Sequence, residues 1–321
     1  MDTKELIIFE AARLCYELDI SQQEVAKTLG ISPATLTRLL QRAKDLGIIN
    51  ITVKPPYEYF KGLDELSQSV KRRLGMREVI LVPASSQISV TRKELGYAAA
   101  KWISSILTKG ARIGFSGGRT IAEIMPFLKK SSEDTQVFQL MGGVSPTEKT
   151  IQADVIARNA ADRLDGTCHV IHGPAIFPDE YSLTQFLKNK IVADVIEHFD
   201  SLDVSVVGIG TLTSDNPLMQ CAFLSAREIT HLDRLGCVGD ICGHFFGHEG
   251  KECEESLSQR ILGIRLEQLI RIPMVCAVGA GIEKVPAIYA ACRAQIPKTI
   301  ITDIFTAEEI MRVKEPNEAG V

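Results

Sequence analysis

Long apolar segments are missing from this 321-residue sequence. No uninterrupted apolar run approaches the roughly 20 residues that a helix needs to cross a bilayer. Charged residues such as Asp2, Lys4 and Glu5 also interrupt the start of the chain, where a targeting leader would be apolar or rich in arginine. We therefore expect a cytoplasmic protein that does not interact with a membrane.

Cysteines with the spacing of a metal site or of a disulfide framework are also missing. The eight cysteines include no CxxC pair, and several lie in apolar segments, so we expect small core residues in a reducing compartment. One region does gather soft ligands, but with spacings that match no common zinc motif. These ligands are Cys237, Cys242, His244, His248 and Cys253. Residues 242–246 have the pattern of one strand leading to a turn at 247–250, and we expect neither a metal nor a cofactor.

The sequence has no excess of positive charge. The net charge is −4, and residues 1–54 contain seven basic and seven acidic residues. A protein that coats polyanions without specificity has a basic balance or basic tails. Any binding of nucleic acid must therefore depend on the local charge of one element.

Residues 21–47 contain two short amphipathic helical patterns separated by a glycine turn. Gly30 can end the first helix in the left-handed conformation, while Ser32 and Pro33 are favourable at the start of the second. This spacing predicts a helix-turn-helix, whose second helix lies in the major groove of DNA, with an ordinary helical hairpin as the alternative. The second pattern offers hydroxyls, an amide and cations for base edges and phosphates. The predicted DNA-binding residues are Ser32, Ala34, Thr35, Thr37, Arg38, Gln41, Arg42 and Lys44.

The segments that flank this motif predict a small domain and a linker. Residues 5–18 form an amphipathic pattern that can cover the two helices, and residues 48–53 alternate like the strand of a winged variant. Residues 61–74 have an apolar stripe that either pairs with a second copy of the chain or docks on the large domain. Because operator half-sites are usually recognised by two-fold symmetric proteins, we expect a dimer or tetramer. The predicted domains are a DNA-binding domain at 1–54, a linker at 55–76 and an effector domain at 77–321.

From residue 77 onward, apolar strands alternate with amphipathic helices. This alternation predicts an α/β domain with a doubly wound, mainly parallel sheet that is covered on both faces. A ligand of such a sheet lies beyond the carboxyl ends of the strands. The predicted strands are 79–82, 112–115, 137–141, 168–171, 204–207, 274–278 and 299–301. The predicted helices are 92–107, 120–129, 150–164, 183–198, 284–294 and 307–313.

Glycine-rich turns follow four of these strands, at 114–120, 139–143, 208–211 and 279–284. The first turn, GFSGGRT, is typical of a phosphate cradle, although a purely structural turn is an alternative. It lacks the lysine of a P-loop and the spacing of a dinucleotide fingerprint. Together with Lys284, which could instead be the solvated start of a helix, these turns favour a small, anionic, hydroxyl-rich ligand.

Several separated motifs resemble the SorC family of bacterial sugar-responsive transcription regulators over nearly the whole chain. The motifs are AKDLGIINITVKPP, GFSGGRT, QLMGGVS, VVGIGTL, GCVGDICGHFF, SQRILGIRLEQL and GAGIEKVPAIYAACRAQIPKTIITDIFTAEEI. The resemblance implies an effector domain folded like ribose-phosphate isomerases and CoA transferases. It also implies that the effector is a phosphorylated sugar or a related metabolite.

The resemblance assigns roles within the effector domain. The GFSGGRT loop would hold the phosphate with added charge from Lys284, while Asp240, Gln139 and the 208–211 turn would face the sugar hydroxyls. Arg260 would lie near the ligand entrance. With the donor Arg119 included, the expected effector-binding residues are Ser116, Gly117, Gly118, Arg119, Thr120, Gln139, Gly208, Gly210, Thr211, Asp240, Arg260 and Lys284.

We therefore predict a regulator that binds double-stranded operator DNA of a carbohydrate catabolic operon and responds to a phosphorylated sugar. The alternative is an enzyme, a sugar-phosphate isomerase with an accessory helix-turn-helix, which needs a positioned acid and base. The available groups would be Asp240, Asp303, Glu180 and Lys284. Since the sequence shows no paired carboxylates and no nucleophile with its base, the regulator is favoured and no catalytic residue is assigned.

Overall fold

The computed structural model describes residues 3–49, 57–130, 134–144, 149–213, 216–220 and 223–314. Contacts between Cα atoms divide the chain into two units, Met1–Phe60 and Lys61–Val321. Among the described helices, none has both the length and the apolarity that a bilayer crossing requires.

Three helices pack together in the described part of the N-terminal unit; the first lies two residues before the predicted 5–18, and the other two lie within the predicted helix-turn-helix at 21–47. They are α1 Thr3–Tyr16, α2 Gln22–Thr28 and α3 Pro33–Asp45. Gly30 ends the first helix of the motif with φ +64°, and the Thr35 N–H donates to Ser32 Oγ at 3.1 Å to cap the second. The buried core of this unit consists of Ile8, Ala11, Ala12, Val25, Ala26, Leu36, Leu40, Ala43 and Ile49. The strand predicted at 48–53 lies mostly within residues 50–56, outside the described part of the chain.

Helix α4, Tyr57–Leu74, includes the apolar stripe predicted at 61–74. Val70 and Leu74 are buried in the core of the large unit together with Met76 and Val79. The C-terminal half of the stripe therefore docks on the large unit, which is one of the two roles that the sequence left open.

Seven parallel strands form the central sheet in the order β1-β9-β8-β5-β2-β3-β4. The strands of this sheet are β1 Glu78–Val82, β2 Arg112–Phe115, β3 Gln136–Gln139, β4 Thr167–His169, β5 Val204–Gly208, β8 Met274–Val278 and β9 Thr299–Asp303. Both faces are covered, because Val275 and Ala277 belong to one buried cluster while Cys276 and Val278 belong to the other. The predicted strands are thus confirmed to within a few residues. The strand order reverses between β2 and β5, which is where doubly wound sheets bind ligands.

Two predicted helices of the large unit differ from the prediction in extent, and four helices between residues 217 and 271 are not among the predicted ones. The helix predicted at 120–129 ends at Ala122 and is followed by the 3-10 turn Met125–Phe127, because Pro126 has no N–H to continue the helix. The helix predicted at 183–198 is two helices, since Asn189 caps the second by accepting from the Ile191 N–H at 3.0 Å. The helices are α5 Ile88–Ile106, α6 Arg119–Ala122, α7 Ala153–Leu164, α8 Glu180–Phe186, α9 Lys190–Glu197, α10 Pro217–Gln220, α11 Ala226–Arg234, α12 Glu255–Ser258, α13 Leu266–Arg271, α14 Val285–Arg293 and α15 Ile304–Arg312.

A separate hairpin of β6 Cys237–Ile241 and β7 His244–Gly247 corrects the expectation of one strand at 242–246. Cys242 and Gly243 form the two-residue turn between the strands, with φ +52° and +84°, as expected for a hairpin turn that needs positive φ at both positions. Cys237 and Cys253 form a disulfide, contrary to the expectation of reduced cysteines. The chain returns beside the hairpin through the Phe246 to Glu252 bridge, which brings the two cysteines together.

Candidate functional site

A cavity of about 340 Å³ lies where the loops after β2 and β5 meet. Its position is the reversal point of the strand order, as the glycine turns predict. One wall is apolar and includes Leu95, Ile121, Met141 and Leu218. The polar lining consists of Arg92, Ser116, Arg119, Thr120, Gln152, Thr211, Thr213, Asn216, Asp240, Glu283 and Lys284.

The GFSGGRT loop forms one side of this cavity, and its serine has a structural task. Ser116 Oγ accepts from the Gly208 N–H at 3.0 Å and donates to the Gly117 carbonyl at 3.1 Å. It thereby ties the loop after β2 to the end of β5. Gly118 has φ +119°, and its N–H donates to the Ile151 carbonyl at 2.9 Å. The loop is therefore fixed in shape before any ligand binds.

Three cations line the cavity: Arg92 from α5, Arg119 from α6 and Lys284 from the turn before α14. Lys284 Nζ donates to the Ile209 carbonyl at 3.0 Å, so this lysine is not a solvated helix start. Burial lowers the pKa of Lys284, and Arg92 and Arg119 act in the same direction, whereas Glu283 and Asp240 oppose the shift. A dianionic group would relieve the mutual repulsion of these cations.

Asp240, at the end of β6, brings a carboxylate to the same cavity, and its side chain is held from two sides. Asn216 Nδ2 donates to Oδ1 at 2.6 Å, and the Gly243 N–H donates to Oδ2 at 3.1 Å. Burial nevertheless raises the pKa of Asp240, against the opposing effects of Asn216, Gly243 and Lys284. Gly210 leaves room for this arrangement, because a Cβ there would lie 2.1 Å from Asp240 Oδ1.

Asn216 and Arg92 line the cavity although the sequence analysis did not single them out. Asn216 has every amide group engaged, since it also donates to the Thr211 carbonyl at 2.9 Å and accepts from the Leu218 N–H at 3.0 Å. The Asn-Pro pair at 216–217 is the available signal, because asparagine before proline is typical of a helix start. Arg92 has no comparable signal, since a single arginine near the start of a helix usually faces solvent.

Ten of the twelve expected effector-binding residues line the cavity, and two lie elsewhere. Gln139 is completely buried, where it donates to the Met141 carbonyl at 2.6 Å and accepts from the Ile171 N–H at 2.8 Å. These two hydrogen bonds hold the loop after β3 in its conformation. Arg260 pairs with Glu228 and donates to the Pro178 carbonyl at 2.9 Å. It lines a second cavity of about 430 Å³, where its guanidinium already has an acidic partner.

Two of the four groups considered for acid and base catalysis, Asp303 and Glu180, lie outside the first cavity. Asp303 is buried and caps α15 by accepting from the Thr306 N–H at 2.6 Å. Glu180 is exposed at the start of α8 and lines the second cavity. Of the four groups considered for acid and base catalysis, only Asp240 and Lys284 share the first cavity.

Helix α3 presents a polar face that is separate from its packed face. Leu36, Leu40 and Ala43 are buried, whereas all eight predicted DNA-binding residues are exposed. Four of the eight side chains make hydrogen bonds along the helix. Ser32 Oγ and Thr35 Oγ1 are bonded to each other at 2.8 Å, Thr37 Oγ1 donates to the Pro33 carbonyl at 3.0 Å, and Gln41 Nε2 donates to Asp45 Oδ1 at 3.1 Å. Arg38, Arg42 and Lys44 give this face its positive charge.

Comparison with known proteins supplies the family. A sugar-binding domain family matches residues 58–312, and a winged helix-turn-helix DNA-binding family matches residues 19–50. The chain belongs to the SorC family. The sorbitol operon regulator of Klebsiella pneumoniae is 27% identical over 310 residues, which cover 95% of this chain and 98% of that protein. The deoxyribonucleoside regulator of Bacillus subtilis is 27% identical over 311 residues, with coverage of 96% and 98%.

A solved SorC-family structure confirms the fold over both units. The crystal structure of the full-length sorbitol operon regulator from Klebsiella pneumoniae matches with a TM-score of 0.77 at 27% identity, and covers 96% of this chain and 98% of that one. SorC-family membership makes this protein a transcriptional regulator with a helix-turn-helix and a sugar-binding domain. The isomerase alternative is set aside, because these relatives are regulators and not enzymes.

Proposed function

We propose that this protein binds operator DNA of a carbohydrate catabolic operon through α3, and that a phosphorylated sugar in the first cavity controls this binding. The observation that carries the proposal is the convergence of Arg92, Arg119 and Lys284 with the hydrogen-bonded carboxylate of Asp240 in one cavity. Cations recognise phosphate strongly. A carboxylate accepts hydrogen bonds from sugar hydroxyls, so the two features together suit a sugar phosphate.

The cavity suggests how such a ligand is oriented. The phosphate lies toward the GFSGGRT loop and Lys284, while the sugar hydroxyls lie toward Asp240, Thr211 and Thr213. The apolar wall around Met141 and Leu218 contacts the carbon skeleton of the sugar. A phosphate brings a dianion to a cavity lined by Arg92, Arg119 and Lys284, so the phosphate contributes more to the affinity than the neutral hydroxyls.

In the cytoplasm, the regulator acts on DNA as a homodimer or homotetramer, because operator half-sites are usually arranged with two-fold symmetry. The effector changes operator affinity only to the extent that it binds the DNA-competent and incompetent states with different affinity. The relation to the sorbitol operon regulator supports a carbohydrate operon as the target.

Calorimetry with a panel of hexitol, hexose and pentose phosphates tests the ligand, with each unphosphorylated sugar as its matched control. We expect at least one phosphate to bind and its unphosphorylated partner to bind at least tenfold more weakly. Lys284→Ala should lose that discrimination while it retains binding to a DNA duplex from the promoter of its own operon. Equal affinity for phosphorylated and free sugars, or turnover of a sugar phosphate by the pure protein, would contradict the proposal.

A further inference from the structure

Helix α14 connects the effector cavity to the end of helix α4. At its start, Lys284 immediately precedes the helix, lines the cavity and donates to the Ile209 carbonyl. At its end, Arg293 Nη1 donates to the Arg73 carbonyl at 3.3 Å. Gln295, two residues beyond the helix, donates through Nε2 to the Leu74 carbonyl at 3.2 Å. One helix therefore contacts the cavity with one end and the last turn of α4 with the other.

The end of α4 is attached to α14 by packing as well as by these bonds. The last carbonyls of a helix have no partner within the helix, and α14 and its extension supply donors for two of them. The guanidinium of Arg73 lies over the ring of Tyr289, 5.9 Å from its centroid. Leu74 is buried in the same cluster as Ile288. A displacement of α14 would therefore be transferred to α4.

Two glycines lie close against α14 and the residue that follows it. A Cβ on Gly239 of β6 would lie 2.5 Å from the Cβ of Ala287, and a Cβ on Gly250, three residues after β7, would lie 2.2 Å from the Cβ of Ala294. Packed helices move by small sliding displacements, and glycine at these two positions puts no side chain of its own in the path of such a displacement.

We propose that α14 transmits the occupancy of the effector cavity to α4. The proposal rests on the proposed function, because it takes a phosphorylated sugar as the ligand. A phosphate that binds Lys284 attracts the ammonium group, which already donates to the Ile209 carbonyl, and the movement of this side chain displaces the start of α14. The helix moves as a rigid rod, and Arg293 and Gln295 transfer the displacement to Arg73 and Leu74. Helix α4 begins at Tyr57, within the unit that contains the helix-turn-helix.

The test is the double variant Arg293→Ala/Gln295→Ala, with the exposed pair Arg234→Ala/Gln185→Ala on α11 and α8 as matched control. Operator affinity is measured by fluorescence anisotropy with and without a saturating sugar phosphate, and sugar-phosphate affinity is measured by calorimetry. In the wild type, the ratio of the two operator affinities should lie in the range of roughly 5-fold to 150-fold that allosteric coupling usually has. We expect the ratio to approach one in the double variant, with sugar-phosphate affinity unchanged within about twofold, and to stay at the wild-type value in the control.

Gln295→Glu provides a second variant of almost the same size. It replaces the amide N–H that donates to the Leu74 carbonyl with a carboxylate oxygen, and the carbonyl oxygen repels this negative charge. Its ratio should also fall while its thermal unfolding remains cooperative. A wild-type ratio in both variants, with both ligands still bound, overturns the role of α14. Failure of the wild-type protein to bind any sugar phosphate overturns the proposed function instead, so the two failures are distinguishable.

Discussion

The amide nitrogen of Asn216 lies 2.6 Å from Oδ1 of Asp240, and both residues are almost fully buried, at 7% and 6% exposure. This bond joins the segment after β5 to the hairpin that carries Asp240. It also fixes the direction of the carboxylate, because the amide makes its remaining bonds to the backbone of its own segment.

Asn216→Ala should weaken sugar-phosphate binding by about 1–3 kcal/mol, since the buried carboxylate oxygen loses its donor. Asn216→Asp should have a steeper pH dependence than the wild type, because two adjacent carboxylates share one proton and resist the loss of it. Its affinity and stability should decline more than those of the wild type as the pH rises. Calorimetry between pH 5 and pH 8, with the exposed Asn159→Ala on α7 as control, measures both effects. An Asn216→Asp variant with the pH dependence of the wild type would contradict a direct bond between these residues.

Asp240 should make the ligand-free protein less stable as the pH rises. Burial raises the pKa of its carboxyl above the ordinary value of 3.8. At a pH between 3.8 and the raised pKa of the folded state, Asp240 is therefore protonated in the folded state and ionised in the unfolded state. This contribution to the free energy of unfolding is complete below pH 3.8, and it is lost as the pH rises through the pKa that Asp240 has in the folded state. Urea unfolding at a series of pH values should show this decline in the wild type and a shallower one in Asp240→Asn. Parallel curves for the two proteins would argue against the shift.

Arg38→Ala and Arg42→Ala should each weaken operator binding and leave sugar-phosphate binding intact. Both guanidinium groups are exposed on α3 opposite its buried face. Loss of a phosphate contact lowers the salt dependence of binding by about one unit of slope, whereas loss of a base contact relaxes sequence preference at a cost of about 1–3 kcal/mol. Anisotropy titrations at several salt concentrations separate these outcomes. Arg234→Ala on α11 is the control, and unchanged operator binding in both α3 variants would refute the assignment.

Gly210→Ala should abolish effector binding and reduce stability. Its Cβ would lie 2.1 Å from Asp240 Oδ1 and 2.7 Å from Asn216 Nδ2, so the Asn216 to Asp240 bond must break or the backbone must shift. Forced overpacking usually costs about 1–3 kcal/mol. Gly62→Ala on α4, where nothing lies within 4 Å, should instead be neutral or stabilising by up to about 1 kcal/mol. Thermal unfolding of both variants checks the contrast, and equal melting temperatures would contradict it.

The sequence predicts the sheet well because strands that are buried on both faces are continuously apolar. The predicted helix boundaries are wrong where a single residue ends or starts a helix, as Pro126 and Asn189 do. Glycine turns predict the position of the cavity, since the carboxyl ends of parallel strands meet at one edge. Residues 242–246 mislead because their apolar character hides a turn that only the positive φ angles of Cys242 and Gly243 reveal.

Individual site residues are harder to predict than the site. Gln139 and Arg260 have suitable chemistry in suitable motifs, but their hydrogen bonds are used by the Met141 and Pro178 carbonyls and by neighbouring groups. Arg92 lies outside the four glycine turns that predict the cavity, and the packing of α5 brings it there. Whether these side chains reach the cavity depends on their direction and on long-range packing, and neither can be predicted from the spacing of residues in a motif.

Strand β1 lies at the edge of the sheet and pairs with β9, the last strand among the described residues. Residues 78–82 therefore find their partner strand only at 299–303, more than 200 residues further along the chain. Such long-range closure is slow. A chain truncated before β9 would leave β1 without its partner strand and separate it from β8, so the sheet that supports the effector cavity would be incomplete.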